Sequence, residues 1–142
     1  MKPKFKEVYF NIAKEISSLS YAKRLKVGAI IIKESRIISI GYNGSPSGWP
    51  NICEELIKEG HREFLITTPE TIHAEMNCLH KLAKSHESGD GAAMFCTDSP
   101  CLECAKGIFM SGIKEFYYEN EYRANDGLIF LEKSGVFVEK RS

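Results

Sequence analysis

The sequence predicts an α/β protein: a three-layer α/β/α sandwich around a mixed five-stranded sheet. Three observations carry this. Apolar residues recur three and four apart in two long segments. Short β-branched runs alternate with helical segments through the second half. Gly, Pro, Asn and Ser cluster at the junctions. Strand–helix alternation of this kind calls for parallel crossovers with helices on both faces of the sheet. A chain of 142 residues suits one domain spanning 1–142.

Each element has its own signal. In residues 6–19, Val8, Ile12, Ile16 and Leu19 mark one face of an amphipathic helix. Residues 27–32 form an unbroken apolar run rich in isoleucine, as a buried strand requires. Glu34-Ser35 is a turn, and 37–42 a second strand that closes a hairpin. Residues 41–50 are dense in turn formers and read as loop. A short helix is expected over 51–58, and mostly loop over 61–71. Ile72, Met76, Leu79 and Leu82 then place a helix over 72–83, capped by Thr71 or Thr68. A polar loop at 85–91 leads into a strand at 92–97. Pro100 suits the first turn of a helix over 101–111, which Gly112 ends. A strand at 113–118, a helix at 125–133 stopped by Gly135, and a strand at 136–139 complete the chain.

Composition narrows the function. The apolar fraction is 43% and the charged fraction 27%, values of a folded globular chain. Nineteen basic residues balance nineteen acidic ones, which argues against a dedicated nucleic-acid binder. No apolar run reaches the ~18 residues of a membrane span. The basic start, Met1-Lys2-Pro3-Lys4, lacks the apolar stretch of a secretory signal, so a cytoplasmic location is expected. Five cysteines, an odd number, argue against a disulfide framework. Cys78 and Cys96 read as core thiols and Trp49 as a loop cover. Of Tyr117 and Tyr118, adjacent on a strand, one should face the core.

Two motifs carry chemistry: His73-Ala74-Glu75 at one helix start, and Pro100-Cys101-Leu102-Glu103-Cys104 at another. Alone, the C-x-x-C pair fits a thioredoxin-like redox site or half of a structural zinc site. Together, His73, Cys101 and Cys104 make three zinc ligands and leave a fourth position open, as a catalytic zinc needs. Two thiolates weaken the metal's power to acidify water, so a nearby base helps, and Glu75 is two residues from a ligand. A helix N-terminus favours the Cys101 thiolate and a neutral His73. The pattern H-x-E…P-C-x-x-C is that of zinc-dependent nucleobase deaminases.

The chain resembles the cytidine deaminase-like superfamily, and within it the deoxycytidylate (dCMP) deaminases. The resemblance runs through Lys26-Val27-Gly28-Ala29-Ile30-Ile31, Gly41-Tyr42-Asn43-Gly44-Ser45-Pro46-Ser47-Gly48, Ile72-His73-Ala74-Glu75-Met76-Asn77, Ser99-Pro100-Cys101-Leu102-Glu103-Cys104-Ala105-Lys106 and Ser111-Gly112-Ile113-Lys114. It implies the five-stranded sheet sandwiched by helices, a homo-oligomer (usually a hexamer), and hydrolysis of dCMP to dUMP and ammonia, feeding dTMP synthesis. It implies activation by dCTP and inhibition by dTTP, with Mg2+ accompanying the triphosphates. Carried over by position, His73, Cys101 and Cys104 hold one Zn2+ and Glu75 shuttles the proton. Asn43 and the backbone of Ala74 touch sugar and base, Tyr122 borders the substrate, and residues 67–71, Thr71 among them, help form the nucleotide pocket. Arg24, Lys26, Gly41, Tyr42 and Gly44 are the effector-site candidates, on the reasoning that a glycine-rich loop exposes N–H groups to phosphate. Lys23, Arg24, Lys26, Lys81, Lys84 and Arg123 are the candidate cations for the substrate phosphate. Some phage-type members hold a second zinc. Here Cys53 matches one of its ligands, but residues 20–24 lack cysteine and Thr71 replaces an acidic ligand, so one zinc is expected. The rival readings are a tRNA adenosine or other nucleobase deaminase, and a non-enzymatic zinc or redox protein.

Overall fold

The computed structural model describes residues 1–122 and 124–142. Along the chain run α1 (Pro3–Ser17), β1 (Gly28–Lys33), β2 (Arg36–Tyr42), β3 (Glu54–Glu59), β4 (Arg62–Thr67), α2 (Ala74–Ala83), β5 (Ala93–Asp98), α3 (Leu102–Met110), β6 (Glu115–Asn120), α4 (Asp126–Lys133) and β7 (Phe137–Lys140). The main sheet has the order β2-β1-β5-β6-β7. β1 pairs antiparallel with β2 and β5, while β5, β6 and β7 run parallel. This is the mixed five-stranded sheet the alternation predicts. Glu34 and Ser35 link β1 to β2, both with left-handed φ, 51° and 61°. A two-residue turn matched to strand twist needs that geometry at both positions.

Strand residues alternate between two cores, as a period of two requires. Ile30, Ile32, Phe95 and Tyr117 meet Phe10 and Ala13 of α1 on one face. Ala29, Ile31, Met94, Cys96, Phe116 and Tyr118 meet α2, α3 and α4 on the other. The Phe95 and Tyr117 rings stack at 4.4 Å, with Phe10 edge-on to Phe95 at 5.1 Å. Both Tyr117 and Tyr118 are therefore buried, not one of them, because helices cover both faces. Each fully buried side chain of this size contributes about 1.5–3 kcal/mol. Cys78 and Cys96 are core thiols, and burial pushes the Cys78 thiol up to about 12. No helix among the described residues is long and apolar enough to cross a membrane.

Two expectations fail between the second strand and the helix after it. The helix expected over 51–58 is strand β3, and the loop expected over 61–71 contains strand β4; together they form a separate two-stranded ribbon. Gly60 opens its two-residue turn at φ +61°. Leu56 pairs with Leu65, Ile57 with Phe64, and Lys58 with Glu63, cross-strand partners that favour the ribbon over a helix. The excursion carrying it has a closed stem. The Gly44 N–H donates to the Ile72 carbonyl at 3.0 Å, and the Ile72 N–H donates back at 2.8 Å. The base of the ribbon is tied by the Thr68 N–H and the Thr71 hydroxyl, both donating to the Cys53 carbonyl, at 2.9 and 3.2 Å.

Candidate active site

The N-termini of α2 and α3 converge beside the C-terminal end of β5. His73 is the N-cap residue of α2 and Cys101 that of α3, where its sulfur accepts the Cys104 N–H at 3.4 Å. His73 Nδ1 lies 3.6 Å from Cys101 Sγ and 3.4 Å from Cys104 Sγ. The three ligand atoms all lie within 4.8 Å of one another. A tetrahedral zinc with bonds of about 2.1 Å to nitrogen and 2.3 Å to sulfur separates such ligands by roughly 3.6 Å. The trio thus fits zinc in spacing and in donor chemistry, and supplies three ligands, the number a catalytic site uses.

Hydrogen bonding from Cys104, then from His73, holds the Cys101 thiol down to about 3, so it is a thiolate. The same bond, with burial, raises Cys104, which keeps its proton. His73 is raised, first by its bond to Cys101. That bond opposes the lowering expected of His73 at a helix N-terminus. Metal binding at such a trio displaces these protons.

Glu75 lies on the first turn of α2 and is buried. Burial pushes its carboxyl up to about 7, against the lowering effect of His73. A carboxyl poised near neutrality can both take and give a proton.

These groups open on a cavity of about 430 Å³, a size that suits a small molecule. Arg24, Asn43, Thr71, His73, Ala74, Glu75, Cys101 and Tyr122 all line it. So does Thr67, at the start of the 67–71 stretch expected at the pocket, together with Cys53, Glu54, Asp98, Ser99 and Glu121, which the sequence reading did not single out for this role. Asn43 borders the cavity with its amide engaged: Oδ1 accepts the Val27 N–H and Nδ2 donates to the Leu25 carbonyl, both at 2.8 Å. It fixes the 25–27 backbone that forms one wall.

The effector candidates separate. Arg24 lies at the cavity itself, while Lys26 is exposed and does not line it. The Asn43 N–H donates to the Val27 carbonyl and the Gly44 N–H to the Ile72 carbonyl, so these loop donors do not form an anion nest. Gly41 serves packing: a Cβ there would lie 2.6 Å from both the Ala74 carbonyl oxygen and the Cys78 nitrogen, so its absence lets α2 seat against β2. The Tyr42 carbonyl accepts from Asn77 Nδ2 at 2.8 Å, and Lys81 Nζ lies 5.6 Å from the centre of its ring. Arg123 lies outside the described residues. Gly127, near the start of α4, sits against the Pro100 and Cys101 carbonyls at a distance that admits no side chain. Only tertiary placement reveals that contact.

The zinc-binding region of cytidine and deoxycytidylate deaminases matches residues 3–120. The deoxycytidylate deaminase of Enterobacteria phage T4 is 35% identical over 80% of this chain and 77% of its own. ComE operon protein 2 of Bacillus subtilis is 36% identical over 93% of this chain and 69% of its own. The crystal structure of dCMP deaminase from the cyanophage S-TIM5, in complex with dCMP and dUMP, superposes with a TM-score of 0.91 at 48% identity, covering 99% of each chain.

Proposed function

Because the chain belongs to the cytidine and deoxycytidylate deaminase zinc-binding family, we propose that it hydrolyses dCMP to dUMP and ammonia. The observation that carries this reading is the end-to-end similarity, at 48% identity, to a deaminase crystallised with dCMP and dUMP. The buried Glu75 beside the His73, Cys101 and Cys104 trio supports it chemically.

His73, Cys101 and Cys104 would hold the zinc. The metal, when bound, lowers the pKa of a water molecule towards neutrality. Glu75 takes a proton from the attacking water and delivers it to N3 of the cytosine as C4 is attacked. As the C4 carbonyl forms, it takes the proton of the C4 hydroxyl and gives it to the departing amine, so one carboxyl acts as base and then as acid. Its raised pKa, set by burial, matches both tasks. The Ala74 backbone, Thr71 and Tyr122 form walls that orient the base and sugar, and Asn43 holds the wall behind them.

The same proposal extends to one domain, a homo-oligomer, and control by dCTP and dTTP with Mg2+. The family resemblance of the Gly41-Tyr42-Asn43-Gly44 stretch supports the control. With the Asn43 and Gly44 N–H groups engaged internally, an effector would use side-chain cations such as Lys26. Titrating dCMP with and without each triphosphate, at fixed free Mg2+, tests this part alone.

An ammonia-release assay comparing dCMP, cytidine, dCTP and tRNA tests the reaction. dCMP should be turned over best. Preferential deamination of adenosine in tRNA would overturn the substrate, and no deamination of any of them would overturn the reading.

A further inference from the structure

The lining of the cavity holds four acidic residues, Glu54, Glu75, Asp98 and Glu121, and, among the described residues, a single Lys or Arg, Arg24. No salt bridge among the described residues ties up the Arg24 guanidinium. Its backbone, in contrast, is held. Arg24 belongs to the irregular segment between α1 and β1, which has no ladder of its own there. Glu54, the first residue of β3, reaches across with one oxygen. Its Oε2 accepts the Lys23 N–H at 2.8 Å and the Arg24 N–H at 3.0 Å. A carboxylate oxygen accepting two successive backbone N–H groups is a charge-assisted clamp, stronger than a neutral hydrogen bond. It also turns the negative charge of Glu54 towards N–H dipoles.

We propose that Glu54 is a positioning residue for substrate selection: by clamping the Lys23 and Arg24 backbone it sets the Arg24 guanidinium at the cavity to hold the phosphate of a nucleoside monophosphate. The proposal rests on the dCMP reading above. The chemistry is that of a planar guanidinium meeting a phosphate dianion, for which arginine is well shaped. Glu54 does not touch the reacting atoms. It acts through Arg24, so its influence falls on the phosphate-bearing substrate and not on the cytosine chemistry.

The test uses the zinc-loaded protein and two substrates that differ only in the phosphate, dCMP and deoxycytidine. The readout is the ratio of their kcat/KM values. Arg24→Met should lower that ratio by roughly tenfold or more, the scale of a hydrogen-bonded charge pair. Glu54→Ala should lower it severalfold, chiefly through a higher KM for dCMP. Glu54→Gln keeps an oxygen that can accept both N–H groups and should retain most of the ratio. Should Glu54→Ala not fold, Glu54→Asn withdraws the acceptor by one methylene and reads the same quantity. Equal loss on both substrates in Glu54→Ala or Glu54→Asn would reduce Glu54 to a general fold contact and overturn the proposal. An unchanged ratio in Arg24→Met would overturn it as well. A wild type that deaminates neither substrate removes the dCMP reading and this inference with it. A wild type active on dCMP with a ratio insensitive to these changes removes this inference alone.

Discussion

Replacing Gly127 by alanine should loosen the metal centre from behind. The added Cβ would lie 2.3 Å from the Pro100 carbonyl oxygen and 2.9 Å from that of Cys101. Both obstacles are backbone, so no flexible side chain can swing away. Ordinary carbon–oxygen contact needs about 3.4 Å, so α4 and the 100–101 segment must part by ~1 Å. Two effects oppose each other. Alanine improves helix propensity by up to about 1 kcal/mol. Overpacking a tight contact costs about 1–3 kcal/mol, and here nothing soft absorbs it. The net expectation is a loss of about 1–2 kcal/mol. For a chain of this size that lowers Tm by roughly 3–8 °C. Cys101 shifts with its backbone, so zinc affinity should fall roughly tenfold, the usual scale for disturbing what supports a ligand. Thermal unfolding and a chelator competition measure the two quantities. An unchanged or raised Tm with unchanged zinc affinity would show that helix propensity prevails and that the close approach is not under strain.

Metal analysis should find one zinc per chain, with most of it lost in His73→Ala, Cys101→Ala or Cys104→Ala; about two per chain would contradict the single trio. Glu75→Gln should keep fold and zinc while activity drops by about 10²–10⁴-fold, and activity within about tenfold of wild type would remove its role as proton carrier. Ser35→Gly should raise stability by about 0.5–1 kcal/mol in a denaturant titration, since glycine adopts the left-handed φ of 61° without the Cβ penalty. Burial, foremost, raises the Asp98 carboxyl above its ordinary 3.8, with Glu119 adding to the shift and the Thr97 hydroxyl opposing it. A raised folded-state pKa contributes stability that is fully present below 3.8 and lost as pH rises through the folded value. Asp98→Asn should therefore unfold at a higher temperature than wild type near neutral pH, with the gap closing towards pH of about 4; a gap that does not change with pH would assign the effect to something other than ionisation.

The sheet and its four helices were legible because each element sits between a core and solvent, or between two cores, and its pattern records that. Ile12 and Ile16 mark the helical face that meets the core, though Val8, in register with them, is exposed, and the run ending in Ile30-Ile31-Ile32 marks a strand covered on both sides. The β3–β4 ribbon lies outside the main sheet, so its sequence carries no clean alternation. Glu54, Glu55, Lys58 and Glu59 are also good helix formers in isolation. Its signal is pairwise: Lys58 opposite Glu63 and Glu59 opposite Arg62, about a two-residue turn opened by Gly60. In the cavity, the meeting of His73, Glu75, Cys101 and Cys104 was legible from spacings of two and three residues with metal-ligand chemistry. The clamp of Glu54 on residues 23 and 24 spans about thirty residues and lies on an element read as helix. The engagement of the Asn43 and Gly44 N–H groups was not legible, because composition shows which N–H groups a loop has, not which carbonyls they find.

The pairing of Gly44 with Ile72 means that the excursion between β2 and α2 begins and ends at one point. Insertions or deletions within 45–71 can then be accommodated without displacing His73, since each doubling of a flexible loop costs only about 0.6 kcal/mol. The groups proposed to perform the reaction, His73, Glu75, Cys101 and Cys104, all lie outside this excursion. Cys53, Glu54, Thr67 and Thr71, which shape the cavity's wall, all lie inside it. On the proposed reading, part of the cavity wall is therefore inherited on a stretch of polypeptide separate from the reactive groups. Substrate preference can drift, or be engineered, by exchanging one cassette at a fixed joint while the reacting end of the cavity stays as it is.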